Sequence, residues 1–194
     1  MKEGYNKLAL MGVSGSGKDY LAKHLINSYC FKRFSFSDQL KKLANLIYPW
    51  LETDYPPIKK EVPLKLVLNT GEEIKTTPRK VWLHLNMLRD IENLIFIRML
   101  GDEIDNYLKQ QSFGASNSHF HERVLISDVR SGEEFRWCKD HGFKVVYIEP
   151  SKKVYQDYEI DRFIKENAKF ADFTFINKFD GLGSFKDFIQ HLFT

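Results

Sequence analysis

The chain has 194 residues, of which 43% are hydrophobic and 14% aromatic, and its formal net charge is +3 at pH 7. This length and composition are enough for one domain with a sizeable core. The chain has neither an apolar run near the roughly 20 residues that span a membrane nor a basic run that would coat nucleic acid. Cys30 and Cys138 form no disulfide or metal-binding pattern, and no targeting segment is recognisable, so we expect a cytoplasmic protein.

The first motif lies between a predicted strand and a predicted helix. Residues 8–11 are a short apolar run, and apolar residues recur at helical spacing over residues 21–25. The candidate nucleotide-binding residues between them are Gly12, Val13, Ser14, Gly15, Ser16, Gly17, Lys18 and Asp19. Glycines let the backbone approach a polyphosphate, a helix N-terminus offers N–H groups, and a lysine reaches the outer phosphates. The GxxxxGK spacing therefore predicts a phosphate-binding loop.

The residue after this lysine departs from the usual pattern. A serine or threonine whose hydroxyl holds Mg2+ normally follows, and here the residue is Asp19. An aspartate in the first helical turn suits the helix dipole and can hold the metal directly or through a water. A role in orienting Lys18 and the loop is the alternative, and the residues alone leave both open.

A second strand and helix follow. Residues 31–37 alternate aromatic and polar side chains, which predicts a strand with one buried face. Ser37 is then placed to cap a helix that begins at Asp38 and ends near Pro49.

The middle of the chain is less regular. Prolines interrupt the pattern over residues 52–78, where two short strands are predicted to flank a hairpin turn at residues 69–72. Pro78 then opens a helical zone of one or two helices, which ends at the polar loop 112–119.

The last third returns to alternating strands and helices. The predicted strands are residues 123–128, 143–148 and 173–176, and the predicted helices are residues 131–141, 155–169 and 184–192. Strands that alternate with helices predict a parallel sheet covered on both faces, with the ligand at the carboxyl ends of the strands. We expect one α/β domain over residues 1–194, with a core formed by 1–36 and 121–194 and a mostly helical acceptor-binding insertion over 37–120.

We predict that the reaction takes place at the carboxyl ends of the strands. Phosphoryl transfer needs a cradle for the donor, a metal ion, positive groups and a positioned acceptor. We predict Lys18, Asp128 and Arg130 as the catalytic residues. Asp128 ends an apolar strand, where a carboxylate binds Mg2+ or caps the next helix. Together with Asp19 it forms the predicted metal site, and Arg130 is predicted to contact phosphates, with solvent as its alternative.

The predicted substrate-binding residues are Asp38, Arg79, Arg98, Asp102 and Arg130. A guanidinium is the best fork for a phosphate or a planar base, which favours the two arginines of the middle segment. A solvated arginine and, for Asp38, a helix cap are the alternatives.

Four stretches together, GVSGSGKD, SDQLKKLA, RMLGDEID and LISDVRSGEEF, resemble the phage-type deoxynucleoside monophosphate kinases of the P-loop kinase superfamily. The resemblance covers residues 7–44 and 123–188 well and the middle weakly. It implies a three-layer nucleoside monophosphate kinase-like fold with about five parallel strands. It also implies an enzyme that uses ATP and Mg2+ to convert a deoxynucleoside monophosphate into the diphosphate.

The resemblance also implies roles for individual residues. Lys18 would bind the donor phosphates, and Asp19 and Asp128 would be carboxylates at the metal or the nucleophile. Arg98 and Arg130 would bind phosphate. The acidic position after Arg130 is matched by Glu133 and Glu134.

Other acceptors remain open, because the phosphomevalonate kinases share the GKD sequence and the strand that ends in D-x-R. We therefore keep three alternatives: a phosphomevalonate kinase, a dephospho-CoA kinase, and a non-catalytic ATP-binding regulatory protein. The expected partners are small nucleotides, without nucleic acid or membrane, and a homodimer stays open. The expected location is the cytoplasm, that of the host if the protein is phage-encoded.

Overall fold

The computed structural model of the protein describes residues 5–67, 71, 73–114, 123–152 and 159–193. The strands are β1 (Lys7–Met11), β2 (Phe31–Phe34), β3 (Leu64–Val67), β4 (Glu73–Thr76), β5 (Arg123–Val129), β6 (Lys144–Pro150) and β7 (Phe173–Asn177). The helices are α1 (Lys18–Tyr29), α2 (Phe36–Ile47), α3 (Pro78–Asn86), α4 (Ile95–Gly114), α5 (Gly132–Asp140), α6 (Glu159–Asn167) and α7 (Gly183–Phe193). Short 3-10 helices lie at Pro57–Glu61, Met87–Asp90 and Ala168–Phe170. Among the described residues, no helix has the length and apolar character needed to cross a bilayer.

The chain divides into two compact units. The core unit comprises Met1–Ser35 and Gly101–Thr194, and the insertion unit comprises Phe36–Leu100. The core unit contains a sheet with the strand order β2-β5-β1-β6-β7, in which all neighbouring strands are parallel. The insertion unit contains α2, the antiparallel pair of β3 and β4, and α3. The predicted insertion, residues 37–120, also included the part of α4 after Leu100 and residues beyond the end of that helix.

The predicted α/β fold with a parallel sheet of five strands and flanking helices is confirmed. Its inner strands β1, β5 and β6 are apolar because helices cover a parallel sheet on both faces, whereas the edge strands β2 and β7 also expose side chains. One large cluster joins side chains of the sheet to those of α1 and α7. It contains the buried residues Leu8, Leu10, Leu21, Ala22, Leu25, Phe31, Leu125, Val146, Ile148, Phe175, Phe185, Ile189 and Leu192.

One predicted boundary is wrong. The strand predicted over residues 31–37 ends at Phe34, and α2 begins at Phe36 instead of Asp38. Phe36 is only 1% exposed, because the first turn of a helix buries this side chain. The alternating pattern therefore continued past the end of the strand. Ser37 lies inside α2 and does not cap it, and Ser35 is the residue that precedes the helix.

The predicted hairpin is confirmed, since β3 pairs with β4 with Leu64 opposite Thr76. Gly71 in its turn has a φ of +82°, whereas Asn69, Thr70 and Glu72 lie outside the described residues. The helical zone forms two helices, α3 and α4. Residues 115–122 and the predicted helix start at Tyr155 also lie outside the described residues.

The insertion unit has its own small core. Thr77 begins α3 as an N-cap, because its Oγ1 accepts a hydrogen bond from the Lys80 N–H at 3.2 Å. Trp82, on the buried face of α3, packs with Ala44 and Leu51. Leu64 of β3 also packs against this cluster, so α2, α3 and the hairpin contribute to one small core.

Candidate phosphate-binding site

The loop between β1 and α1 requires glycine at three positions. A Cβ atom on Gly12 would lie 2.6 Å from the Ser16 hydroxyl oxygen and 2.8 Å from the Ile148 carbonyl oxygen. Gly15 and Gly17 have φ values of +76° and +92°, in the left-handed region. Gly17 is also the N-cap of α1, so no capping side chain competes for the N–H groups of the first turn. This is the backbone arrangement that binds phosphate at a helix N-terminus.

Lys18 lies across this loop. Its Nζ donates to the carbonyl oxygens of Gly12 at 2.6 Å and Val13 at 2.9 Å. The residue is only 7% exposed. The ammonium group is thus fixed at the loop by its own backbone, where a positive charge can meet an anion.

Asp128 lies at the carboxyl end of β5, next to β1. The register between the two strands shifts there, since Ala9 pairs with Ile126 but Met11 pairs with Val129. This irregularity gives β5 one residue more than β1 over the same length. Such bulges redirect a side chain and are frequent beside active sites. Asp128 is nevertheless 5% exposed, as a buried carboxylate.

Ser35 holds this carboxylate. Its hydroxyl donates to Asp128 Oδ2 at 2.8 Å. Next to them, Arg33 Nε donates to the Ser127 hydroxyl at 2.9 Å. Sequence reasoning missed Ser35 because the alternating pattern placed it inside a strand. Its position at the end of β2, on the edge that carries Asp128, was the signal that could have revealed it.

Arg130 is exposed and follows β5 directly. Its backbone N–H donates to Glu134 Oε2 at 2.8 Å, and the Ser131 N–H donates to the same oxygen at 3.2 Å. The Ser131 hydroxyl accepts from the Glu134 N–H at 3.2 Å, which completes a capping box at the start of α5. Glu134 therefore fixes the backbone that carries Arg130, whereas Glu133 is only partly buried.

A buried thiol lies close to the same carboxylates. Burial raises the pKa of Cys138 well above its ordinary value, and the charges of Glu134 and Asp128 raise it further. The thiol stays protonated at neutral pH and is not a nucleophile.

Asp19 differs from Asp128 in its surroundings. It is exposed in the first turn of α1. Within the described ranges, no group of three or more His, Cys, Asp or Glu side chains could hold a metal ion. Mg2+ that is bound together with phosphates commonly uses one or two protein carboxylates, and the pair of Asp19 and Asp128 stays the predicted metal site.

Asn177 is the second residue that sequence reasoning missed. It ends β7, and its Nδ2 donates to the Ser16 carbonyl oxygen at 2.9 Å. A polar residue at the end of the apolar strand FTFIN, on the edge where the ligand was expected, was the available signal.

The two arginines predicted to bind the acceptor lie in the insertion unit and are paired with carboxylates. Arg98 donates from Nε and Nη2 to the two carboxylate oxygens of Glu92, at 3.1 and 2.9 Å. This bond lowers the pKa of Glu92. Arg79 forms an ion pair with Glu61. Both guanidinium groups therefore pair with a carboxylate of the insertion unit, and their binding of an acceptor phosphate or a planar base stays a prediction.

The two predicted acidic residues of the acceptor site, Asp38 and Asp102, belong to different units. Asp38 pairs with Lys41 at 3.1 Å along α2. Asp102 is exposed on the part of α4 that belongs to the core unit. Asp38, Arg79 and Arg98 thus each have a different charged neighbour within the insertion unit.

Comparison with solved structures bears on the fold. The structure titled "Crystal structure of TT1252 from Thermus thermophilus" matches 96% of this chain and 97% of its own, with 14% identity and a TM-score of 0.50. The dephospho-CoA kinase from Campylobacter jejuni matches 97% of each chain, with 16% identity and a TM-score of 0.49.

The strand order and the glycine loop after the first strand decide the fold class. The chain has an α/β fold with a parallel five-stranded sheet and a glycine loop between its first strand and its first helix. At identities this low, the likeness to solved structures extends to the fold alone. No family model matches the chain, and no curated protein matches it.

Proposed function

We propose that the protein is a kinase that transfers the γ-phosphate of ATP to a deoxynucleoside monophosphate. The observation that carries this proposal is the position of Lys18, whose ammonium group lies across a glycine loop at the N-terminus of α1. A fixed cation beside uncapped helix N–H groups binds a polyphosphate without reorganisation.

The groups around the loop support phosphoryl transfer. Most of the catalysis in this reaction is positioning and charge stabilisation, with little covalent chemistry by the protein. Lys18 binds the donor phosphates. Arg130 follows β5 on a backbone that Glu134 fixes, and its guanidinium stabilises charge on the phosphoryl group in transfer.

Asp128 and Asp19 are the residues that would hold Mg2+. The glycine loop gives phosphates access to its backbone N–H groups, and proteins commonly hold Mg2+ through one or two carboxylates together with substrate phosphates. Bound Mg2+ neutralises charge on the phosphates. Ser35 keeps the Asp128 carboxylate in one orientation through its 2.8 Å hydrogen bond.

The acceptor class rests on the residues shared with the phage-type kinases. Beside the GKD and D-x-R sequences, which the phosphomevalonate kinases share, these include the stretches SDQLKKLA and RMLGDEID. In the insertion unit, the Arg98 guanidinium binds both oxygens of a carboxylate, and a phosphate also offers two oxygens for such a bidentate bond. We therefore assign the acceptor phosphate to the insertion unit.

ADP release tests the proposal. Purified protein with ATP and Mg2+ is given each deoxynucleoside monophosphate, each ribonucleotide, phosphomevalonate and dephospho-CoA, with an acceptor-free reaction as the blank. We expect turnover with at least one deoxynucleoside monophosphate and none with Lys18→Ala protein.

Other outcomes would favour one of the alternative functions. Turnover only with phosphomevalonate or dephospho-CoA would keep the kinase and replace its acceptor. ATP binding without turnover of any acceptor, together with a stable protein partner, would favour a regulatory protein.

A further inference from the structure

One side chain joins two loops of the core unit. Asn177 is 5% exposed, and its Nδ2 donates to the Ser16 carbonyl oxygen at 2.9 Å while its Oδ1 accepts from the Phe179 N–H at 3.0 Å. A carbonyl oxygen can only accept and a backbone N–H can only donate, so the two bonds fix one orientation of the amide. The phosphate-binding loop and the loop after β7 therefore share Asn177.

On the side of the phosphate-binding loop, the contact is tight. A Cβ atom on Gly17 would clash with Asn177 Nδ2 and would lie 4.0 Å from the Phe179 ring. Gly17 is the N-cap of α1 and directly precedes Lys18. The Ser16–Gly17 peptide at the start of α1 is thus held against the Asn177 side-chain amide. Only Gly17 lies between Ser16 and Lys18, so a shift of this peptide also moves Lys18.

On the other side, Asn177 is anchored. Phe179 has a φ of +58°, a left-handed conformation that a bulky side chain rarely adopts. The bond from its N–H to the Asn177 side chain is the local bond that stabilises such a turn. The Asn177 carbonyl oxygen also accepts from the Ser151 N–H at 3.0 Å, just after β6. Asn177 is therefore held in place at the end of the sheet, and its side chain can hold the phosphate-binding loop in place.

We propose that Asn177 is a positioning residue, which holds the Ser16–Gly17 peptide where Lys18 and the first N–H groups of α1 bind the phosphates of ATP. The role of ATP in this inference rests on the proposed function. Asn177 acts through the Ser16 carbonyl and touches none of the reacting atoms.

Asn177→Asp isolates the bond to the loop. The variant keeps the size of the side chain and an oxygen that accepts from the Phe179 N–H. It replaces the donor with a carboxylate oxygen that faces the Ser16 carbonyl. We expect the Kd for ATP, measured by calorimetry, to rise about ten- to a hundredfold, with the KM for the acceptor unchanged. Without nucleotide, amide hydrogen exchange of residues 16–21 should become faster.

Asn167→Asp is the matched control. Asn167 Nδ2 donates to the Phe163 carbonyl oxygen at 2.9 Å along α6, so the same bond is lost elsewhere in the core unit. We expect this variant to bind ATP as the wild type does. If Asn177→Asp fails to fold, Asn177→Ser is measured instead, with the same expectations.

The results separate the two ideas. Unchanged ATP affinity and unchanged exchange in the Asn177 variant would overturn the inference. So would an equal loss of ATP affinity in both variants, or a matching loss of acceptor affinity. Faster exchange of the loop in a protein that binds no ATP would support the anchoring by Asn177 and refute the kinase.

Discussion

The core unit and the insertion unit hold their polar residues in different ways. In the core unit, Lys18, Asp128 and Asn177 are 7%, 5% and 5% exposed and bond to backbone groups or to a buried hydroxyl. In the insertion unit, the side chains of Arg79 and Arg98 are 44% and 59% exposed and pair with carboxylates. Buried groups bonded to the backbone have one arrangement, whereas exposed ion pairs exchange partners at little cost.

This difference indicates how the proposed substrates, ATP and the acceptor, would bind. Groups that are already oriented need no reordering when a ligand binds. We therefore expect the donor loop to bind ATP in its present conformation. The arginines of the insertion unit would first release Glu61 or Glu92 and then bind the acceptor phosphate.

The largest effect is expected at the buried cation. Lys18→Ala should lower the turnover number about a hundred- to a thousandfold, because the charge over the phosphates is lost. Some stability is lost too, since Nζ bonds to Gly12 and Val13 inside the fold. Lys23→Ala, an exposed change on the same helix, is the control for charge. Equal activity of the two variants would end the assignment of the loop.

Asp128→Asn should lower turnover about a hundredfold and raise the Mg2+ concentration needed for half-maximal rate. The amide oxygen can still accept from Ser35, so the thermal midpoint should change little. Asp19→Ser tests the exposed carboxylate in the same magnesium titration. If only Asp128→Asn shifts the curve, Asp19 does not touch the metal or its waters.

The sequence was sufficient for the sheet and the loop because both depend on local signals. The inner strands β1, β5 and β6 are apolar runs, and the edge strand β2 mixes apolar and charged residues. Gly12, Gly17 and Lys18 have the spacing of a phosphate-binding loop. Ser35 and Asn177 could not be predicted in the same way. Each acts on a residue far away in the chain: Ser35 on Asp128, and Asn177 on Ser16. Only the strand order brings these residues together.

The insertion unit gave the weakest predictions for a physical reason. The residues next to an arginine on a helix surface do not show whether its guanidinium binds a ligand or a neighbouring carboxylate. The pairs formed by Arg79 with Glu61 and by Arg98 with Glu92 join residues 18 and 6 positions apart. Neither pairing has the i,i+4 spacing that can be read directly from a helix.

Arg98→Ala should raise the KM for the acceptor about tenfold and leave the KM for ATP unchanged. Its reciprocal is Glu92→Gln, which removes the competing carboxylate charge and should lower the KM for the acceptor by a few-fold. Arg136→Ala, an exposed arginine on α5, is the matched control. The KM values for ATP and for the acceptor, measured for each variant, test this prediction. A rise in the KM for ATP with Arg98→Ala would contradict the division of roles between the units.

The smallest expected effect is on the free energy of unfolding, and it is tested by comparing two paired carboxylates, Asp172 and Glu92. Asp172 accepts from Lys139 Nζ at 2.8 Å and from the Val145 N–H at 2.8 Å. Burial would raise the pKa of Asp172, but these bonds and the nearby lysines lower it below its ordinary value. A depressed pKa gives stability that is present above the pKa of the unfolded chain and is lost as the pH falls through the folded value.

Asp172→Asn should therefore cost about 1 kcal/mol near pH 7 and flatten the acid limb of the stability curve below about pH 4. Glu92→Gln should leave the unfolding midpoint unchanged, because both side chains of its pair with Arg98 are exposed. Urea unfolding at a series of pH values measures both variants. If Glu92→Gln proved as costly as Asp172→Asn, the ion pairs of the insertion unit would be fixed features of its fold. An acceptor phosphate would then have to bind without displacing them.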